Sequence, residues 1–152
     1  MKKIKIGLPL YVPKCEPCGR DSSKRTLVKL TQPFHVWIND KEYIIPIGFV
    51  FNGNIPKIAR PLFDPLDYYC LAAYLIHDWL YAGEFVPRKY ADEVFYATLE
   101  LLGVPKWKRS IMYAAVRLGG GFTYSEHTEQ TVMHIRNQSG ININTRPLWE
   151  EL

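Results

Sequence analysis

The chain of 152 residues has no run of about 18 consecutive apolar residues, the length a membrane-spanning helix needs, and His77, Asp78 and Asp92 break its longest apolar stretches. It therefore reads as a chain that does not span a bilayer. Cysteine is scarce: Cys15, Cys18 and Cys70 are an odd number in a chain that does not look like a disulfide scaffold, which points to free thiols in a reducing compartment. No internal repeat or low-complexity tract is present, and with 47% hydrophobic and 22% charged residues the composition excludes intrinsic disorder, a collagen-like repeat and a long coiled coil. The start, Met1-Lys2-Lys3-Ile4-Lys5-Ile6, has the charged head of an export signal, but Gly7, Pro9 and Pro13 interrupt any apolar region behind it, so no export signal is read.

What the chain does have is an uneven charge. Its net +4 is concentrated early: residues 1–30 hold eight basic side chains against two acidic ones, about +6, and the remainder carries about −2. Such a segment could meet phosphate on nucleic acid, a lipid or membrane surface, or an acidic protein. No helix-turn-helix, zinc-finger or RNA-binding signature accompanies the charge, so a nucleic-acid role would rest on electrostatics alone, and the bland reading is a solvated irregular arm. Cys15-Glu16-Pro17-Cys18 has the spacing of half a zinc knuckle that Cys70 and a histidine could complete, but one such pair more often marks a loop with two thiols.

The pattern along the chain predicts one α+β domain in four stretches: a basic irregular arm over 1–25, a β region and loop over 26–56, a helical core over 67–118, and an extended C-terminal arm over 122–152. In the β region, Leu27-Val28-Lys29-Leu30 and Phe34-His35-Val36-Trp37-Ile38 precede Asn39-Asp40, and Glu42-Tyr43-Ile44-Ile45-Pro46-Ile47 follows, which reads as a hairpin in a small antiparallel sheet with Pro33 and Pro46 at edges or strand ends. Asn52-Gly53-Asn54-Ile55-Pro56 then reads as a tight ordered loop. About three helices follow. Residues 67–82 form a buried helix ended by Gly83. A second helix starts near Pro87-Arg88, presents Ala91, Val94, Phe95, Thr98, Leu101 and Leu102, and is capped by Gly103. A third, from about Pro105 or Lys106 to Leu118, buries Ile111, Ala114, Ala115 and Leu118 and stops at Gly119-Gly120-Gly121.

Chemistry concentrates at His77-Asp78, because two adjacent ionisable groups inside a helix as apolar as Leu75-Ile76 and Trp79-Leu80 each need a partner. Neighbouring helical residues point about 100° apart, so the two serve different surroundings. Tyr81 lies one turn after His77, and a second helix turned back by the short connection from Gly83 to Pro87 can bring Asp92 against the same face. A carboxylate on one imidazole nitrogen sets the tautomer and leaves the other nitrogen able to take a proton from water, the usual construction of a hydrolytic base. That assigns catalytic roles to His77, Asp92 and Tyr81. Asp78 is then left to hold a cation, and with oxygens from Asn52, Gly53 and Asn54 the shell would suit calcium better than zinc. The competing reading is a buried polar network that fixes helix packing, with Arg88 or Arg117 neutralising the carboxylates. His35, His127 and His134 have no carboxylate partner at helical spacing and read as surface or strand-edge residues.

These residues carry two resemblances. His77-Asp78-Trp79-Leu80-Tyr81 followed by Ala91-Asp92-Glu93-Val94-Phe95-Tyr96 resembles the two-helix core of the secretory calcium-dependent phospholipases. That resemblance implies His77 as the base that activates water, Asp78 as a calcium ligand, Asp92 as the orienting carboxylate and Tyr81 as its hydrogen-bond support. The disulfide framework and glycine-rich calcium loop of those enzymes have no counterpart here. A wider resemblance, over roughly Phe49 to Thr123, joins Gly48-Phe49-Val50-Phe51-Asn52-Gly53-Asn54-Ile55-Pro56 to the His77-Asp78-Trp79-Leu80-Tyr81 motif, Arg88, Ala91-Asp92 and Arg117. In this it is similar to a family of small bacteriophage proteins known only as a domain of unknown function. The resemblance implies a phage or prophage origin, with the protein in the host cytoplasm during infection or in the virion.

Two functions from different classes follow as expectations. One is a calcium-assisted hydrolase of an ester, a phospholipid among the candidates. The other is a non-enzymatic virion, tail or assembly component whose terminal arms contact other phage structural proteins.

Overall fold

A computed structural model describes residues 3–22, 24, 26–52, 70–125 and 129–140. Its β half is two three-stranded antiparallel sheets rather than one. The first has the order β1 (Ile6–Gly7), β4 (Phe34–Ile38), β5 (Lys41–Ile45), and the second the order β2 (Cys15–Arg20), β3 (Thr26–Leu30), β6 (Val50–Phe51). β4 and β5 form the expected hairpin, pairing Phe34 with Ile45 and Ile38 with Lys41. Asn39 and Asp40 both take positive φ, 51° and 69°, the conformation that a two-residue hairpin loop needs. Alternation then decides the faces: Phe34, Val36, Ile38, Tyr43 and Ile45 point into the core, while His35 and Ile44 lie on the outer side. Pro33 and Pro46 stand just outside β4 and β5, where a missing amide proton costs no ladder bond.

Two expectations about the β region are corrected. Thr26–Leu30 does not belong to the hairpin sheet. Gly48, at φ 85°, turns the chain after β5 so that its N–H reaches the Leu30 carbonyl, and β6 lies against β3. The segment 1–25 is not an irregular arm, because β1 and β2 lie within it. β2 is mostly exposed, so hydrophobic patterning could not reveal it; its ladder with β3 and the shift of register between Pro17 and Gly19 hold it. His35 lies on the outer side of β4 and, with no partner at helical spacing, pairs across the hairpin with Glu42 of β5 at 2.6 Å.

The first helix, α1 (Leu71–Ala82), buries eleven of its twelve residues and ends at Gly83. Positions 67–69 of the expected helix lie outside the described residues. α2 (Arg88–Leu101) begins after Pro87 and stops before Gly103, whose φ of 77° places it in the left-handed region. It buries Ala91, Asp92, Val94, Phe95, Thr98 and Leu99; Leu101, expected inside, is 52% exposed.

The third helix, α3 (Lys106–Ser125), differs from expectation in length and in facing. It passes through Gly119-Gly120-Gly121, since glycine lowers helix propensity by only about 1 kcal/mol each and removes no hydrogen bond. Met112 and Val116 enter the core with Cys70, Tyr74, Phe95 and Leu99, whereas Ile111, Ala114 and Leu118 are exposed. A fourth helix, α4 (Glu129–Gln138), lies where an extended arm was expected. It is tied to the end of α1: the Trp79 indole N–H donates to Ser139 Oγ at 3.0 Å, and the Arg136 guanidinium donates to the carbonyls of Gly83 and Glu84 at 2.7 and 2.9 Å. Residues 141–152, with Pro147-Leu148-Trp149, lie outside the described residues.

The larger core lies between the sheets and α1, centred on Trp79, Leu75, Ile76, Phe34 and Ile45, and the smaller one between α1, α2 and α3. The class is α+β, with α1 in both cores. Among the described residues no helix is long and apolar enough to cross a membrane.

Candidate functional site

α1 and α2 pack directly against each other, and the five residues from Gly83 to Pro87 between them set their register. That register places His77 opposite Asp92. Imidazole Nε2 lies 2.7 Å from Asp92 Oδ1, and the Tyr81 hydroxyl donates to the same oxygen at 2.5 Å. The other oxygen, Oδ2, accepts from Arg117 Nη1 at 2.7 Å and has Arg88 Nε at 3.8 Å. Arg88 also donates to the Arg117 backbone carbonyl, which joins α2 to α3 at this point. The Tyr81 and Phe95 rings close on the imidazole with centroids at 4.2 and 4.9 Å.

His77 and Asp92 are buried, at 2% and 0% exposure, so their charges are tolerable only because they pair with each other and Asp92 also accepts from Tyr81 and Arg117. Burial pulls the His77 value down, but the neighbouring carboxylates Asp78 and Asp92 outweigh it and hold the imidazole above its ordinary range. Burial pushes Asp92 up, and the donors His77, Tyr81 and Arg117 override it, leaving the carboxyl below its ordinary range. Burial, with Asp92 alongside, raises the Tyr81 phenol, so it stays a proton donor at any working pH. With Asp92 ionised and surrounded by donors, Nε2 carries the proton toward it and Nδ1 is the nitrogen left to exchange one.

Asp78 faces the other way, as its position one residue on requires. Its Oδ2 accepts the Asn52 backbone N–H at 3.2 Å, and the Asn52 side chain donates to Asp21 Oδ2 at 3.0 Å. Asp78, Asn52 and Tyr81 line a cleft of about 130 Å³ together with Phe49, Val50 and Phe51. His77 does not itself line this cleft; its Nδ1 lies 3.9 Å from Asp78 Oδ1, beyond hydrogen-bond reach.

The structure thus brings together His77, Asp92 and Tyr81, adds both arginines at Asp92, and sets Asp78 beside Asn52. Gly53 and Asn54 lie outside the described residues. Of the calcium shell expected from the sequence the described residues hold Asp78 and Asn52, and Asn52 turns its backbone N–H toward Asp78. Cys15 and Cys18 lie on β2, while Cys70 is buried at the start of α1 in the smaller core. Sequence reasoning missed Asp21, since nothing in a turn acid predicts a partner 31 residues on. It also missed Arg136, whose position in the last turn of an unforeseen helix was the one available sign.

A family model described as protein of unknown function (DUF1353) matches residues 28–116, which takes in both sheets' inner strands, α1, α2 and most of α3's core-facing turns. Comparison with curated proteins and with solved structures gives no match.

Proposed function

This chain belongs to the DUF1353 family of proteins of unknown function, and from that premise we propose that it is a hydrolase of the His/Asp type, with His77 as the base that activates water against an ester. One observation carries the reading: Asp92 engages Nε2 at 2.7 Å and leaves Nδ1, 3.9 Å from the cleft-lining residue Asp78, as the nitrogen that exchanges a proton. In the reaction Nδ1 takes a proton from water as the oxygen attacks the ester carbonyl. The tetrahedral intermediate then collapses, and the imidazolium returns that proton to the departing alkoxide, giving a carboxylic acid and an alcohol. Asp92 stabilises the transient imidazolium. Tyr81 and Arg117 are positioning residues, since they reach the imidazole only through Asp92. A phage phospholipase is the finer form of this proposal, with a phospholipid ester as substrate.

The test uses p-nitrophenyl acetate as a small ester and a short-chain phosphatidylcholine as a lipid ester. His77→Gln is expected to lower hydrolysis at least 100-fold, the scale of a lost general base, while far-UV circular dichroism stays native. Turnover of the lipid alone would carry the phospholipase form. No hydrolysis of either ester by the parent protein, or equal rates in parent and variant, would sink the hydrolase and return His77 to helix packing.

A further inference from the structure

The chain turns sharply between α1 and α2. Glu84 takes φ 45°, in the left-handed region that residues with a side chain avoid, and such a conformation persists only where its surroundings hold it. Part of that hold is local: the N–H groups of Gly83 and Glu84 donate back to the carbonyls of Trp79 and Tyr81, both at 3.1 Å. Part is apolar, since Phe85 and Val86 are buried and the Phe85 ring lies against Trp79. Neither satisfies the carbonyls of Gly83 and Glu84, which follow the negative end of a helix with no basic residue in its last turn.

Arg136 satisfies both. Its Nε donates to the Gly83 carbonyl at 2.7 Å and its Nη2 to the Glu84 carbonyl at 2.9 Å, a two-point grip by one planar guanidinium. The grip comes from α4, 53 and 52 residues further along the chain. α4 is itself anchored by the bond from the Trp79 indole to Ser139 and by Ile135 packed against the larger core. Arg136 lies beyond residues 28–116, which the family model matches.

The register of the two helices sets the 2.7 Å contact between His77 Nε2 and Asp92 Oδ1. A slip of one residue in α2 would turn each of its side chains by about 100° and move it about 1.5 Å along the axis, which breaks that contact. Apolar packing at Phe85 and Val86 tolerates small rotations of the adjoining peptide planes, whereas two charge-assisted hydrogen bonds fix them. We propose that Arg136 is a positioning residue for the His77–Asp92 pair: it grips the Gly83 and Glu84 carbonyls and so fixes the angle and register at which α2 returns along α1. It acts only through the backbone of the connection.

The experiment compares the full chain with Arg136→Ala, Arg136→Lys and Ser139→Ala, following exchange of the His77 Nε2 proton with water by nuclear magnetic resonance of isotopically labelled protein. Arg136→Ala is expected to speed that exchange about tenfold while far-UV circular dichroism stays native. Arg136→Lys keeps the charge but loses the planar grip and should fall between the parent and Arg136→Ala; where Arg136→Ala does not fold, it carries the comparison. Ser139→Ala cuts the other tie between α4 and α1 and should stay within about twofold of the parent. Equal acceleration in the Arg136 and Ser139 variants overturns the proposal, because α4 would then be general support. So does exchange that stays at the parent rate in the Arg136 variants while the melting midpoint falls. Ester hydrolysis rests on the hydrolase reading and is a separate measure: kcat should fall about tenfold in Arg136→Ala with KM nearly unchanged. A parent protein that hydrolyses no ester sinks that reading, and proton exchange still decides this one.

Discussion

Replacing Asp92 by asparagine keeps the shape of the most connected buried group and removes its charge. The carboxylate is fully buried and accepts three hydrogen bonds, from His77, Tyr81 and Arg117, two of them at 2.7 Å and one at 2.5 Å. An asparagine amide offers one accepting oxygen and one donating nitrogen, so at least one of these donors would face another donor. Removing one member of a buried ion pair costs about 3–5 kcal/mol, chiefly because the remaining charge is left uncompensated. The lower end applies here: Arg117 keeps 34% of its side chain exposed and can turn to water, and His77 can lose its proton. The expected cost is therefore about 3 kcal/mol, and at about 2–4 °C per kcal/mol for a chain of this size the melting midpoint should fall by roughly 6–12 °C. Tyr81→Phe removes one donor and leaves the charges in place, so it should cost about 1.5–3 kcal/mol, the worth of a hydrogen bond to a charged group. Urea unfolding followed by tryptophan emission measures both. A loss below about 1 kcal/mol for Asp92→Asn would refute the claim that a charged network holds α1, α2 and α3 together.

Two further outcomes follow from the same geometry. His77 is held above its ordinary 6.5, so its contribution to stability is complete below that pH and is lost as pH rises through the raised value; Asp92 is held below 3.8, so its contribution is present above that and is lost as pH falls through the lowered value. Stability should therefore plateau between these limits and decline on both sides, while ester hydrolysis, which needs neutral His77, should climb with a midpoint above 6.5; an activity midpoint at or below 6.5 would contradict the pairing. Gly83→Ala places a methyl group 2.2 Å from the buried Phe85 ring, which is held against Trp79 with centroids 4.5 Å apart and has nowhere to swing, so a loss of about 1–3 kcal/mol is expected in the same unfolding assay.

Local signals were legible where one sequence feature had one structural outcome. Asn39-Asp40 between alternating strands could hardly form anything but the β4–β5 hairpin, and Gly103 stands where α2 must stop. The His77, Tyr81 and Asp92 constellation was legible for the same reason: His77 and Tyr81 are one helical turn apart, and a five-residue connection leaves α2 little choice but to fold back on α1. The two arginines that complete the network were visible only as candidates for neutralising a carboxylate, because Arg117 lies 25 residues from Asp92 and helix periodicity cannot bridge that gap.

What the amino-acid sequence determined by itself was the α+β class, the hairpin, the existence of α1, α2 and α3, and the buried histidine's need for a partner, all consequences of short-range geometry and of the cost of burying charge. The tertiary structure alone decided which partner each strand took, since the mostly exposed β2 is recognisable only by its ladder with β3. It also decided which side of α3 faces the core. That helix carries two apolar strips, one with Met112 and Val116 and one with Trp107, Ile111 and Leu118, and hydrophobicity ranks the second at least as high. The α1–α2 pair offers room for one. Arg117 must reach Asp92, and that rotation puts Met112 and Val116 inside and turns the larger apolar strip to water.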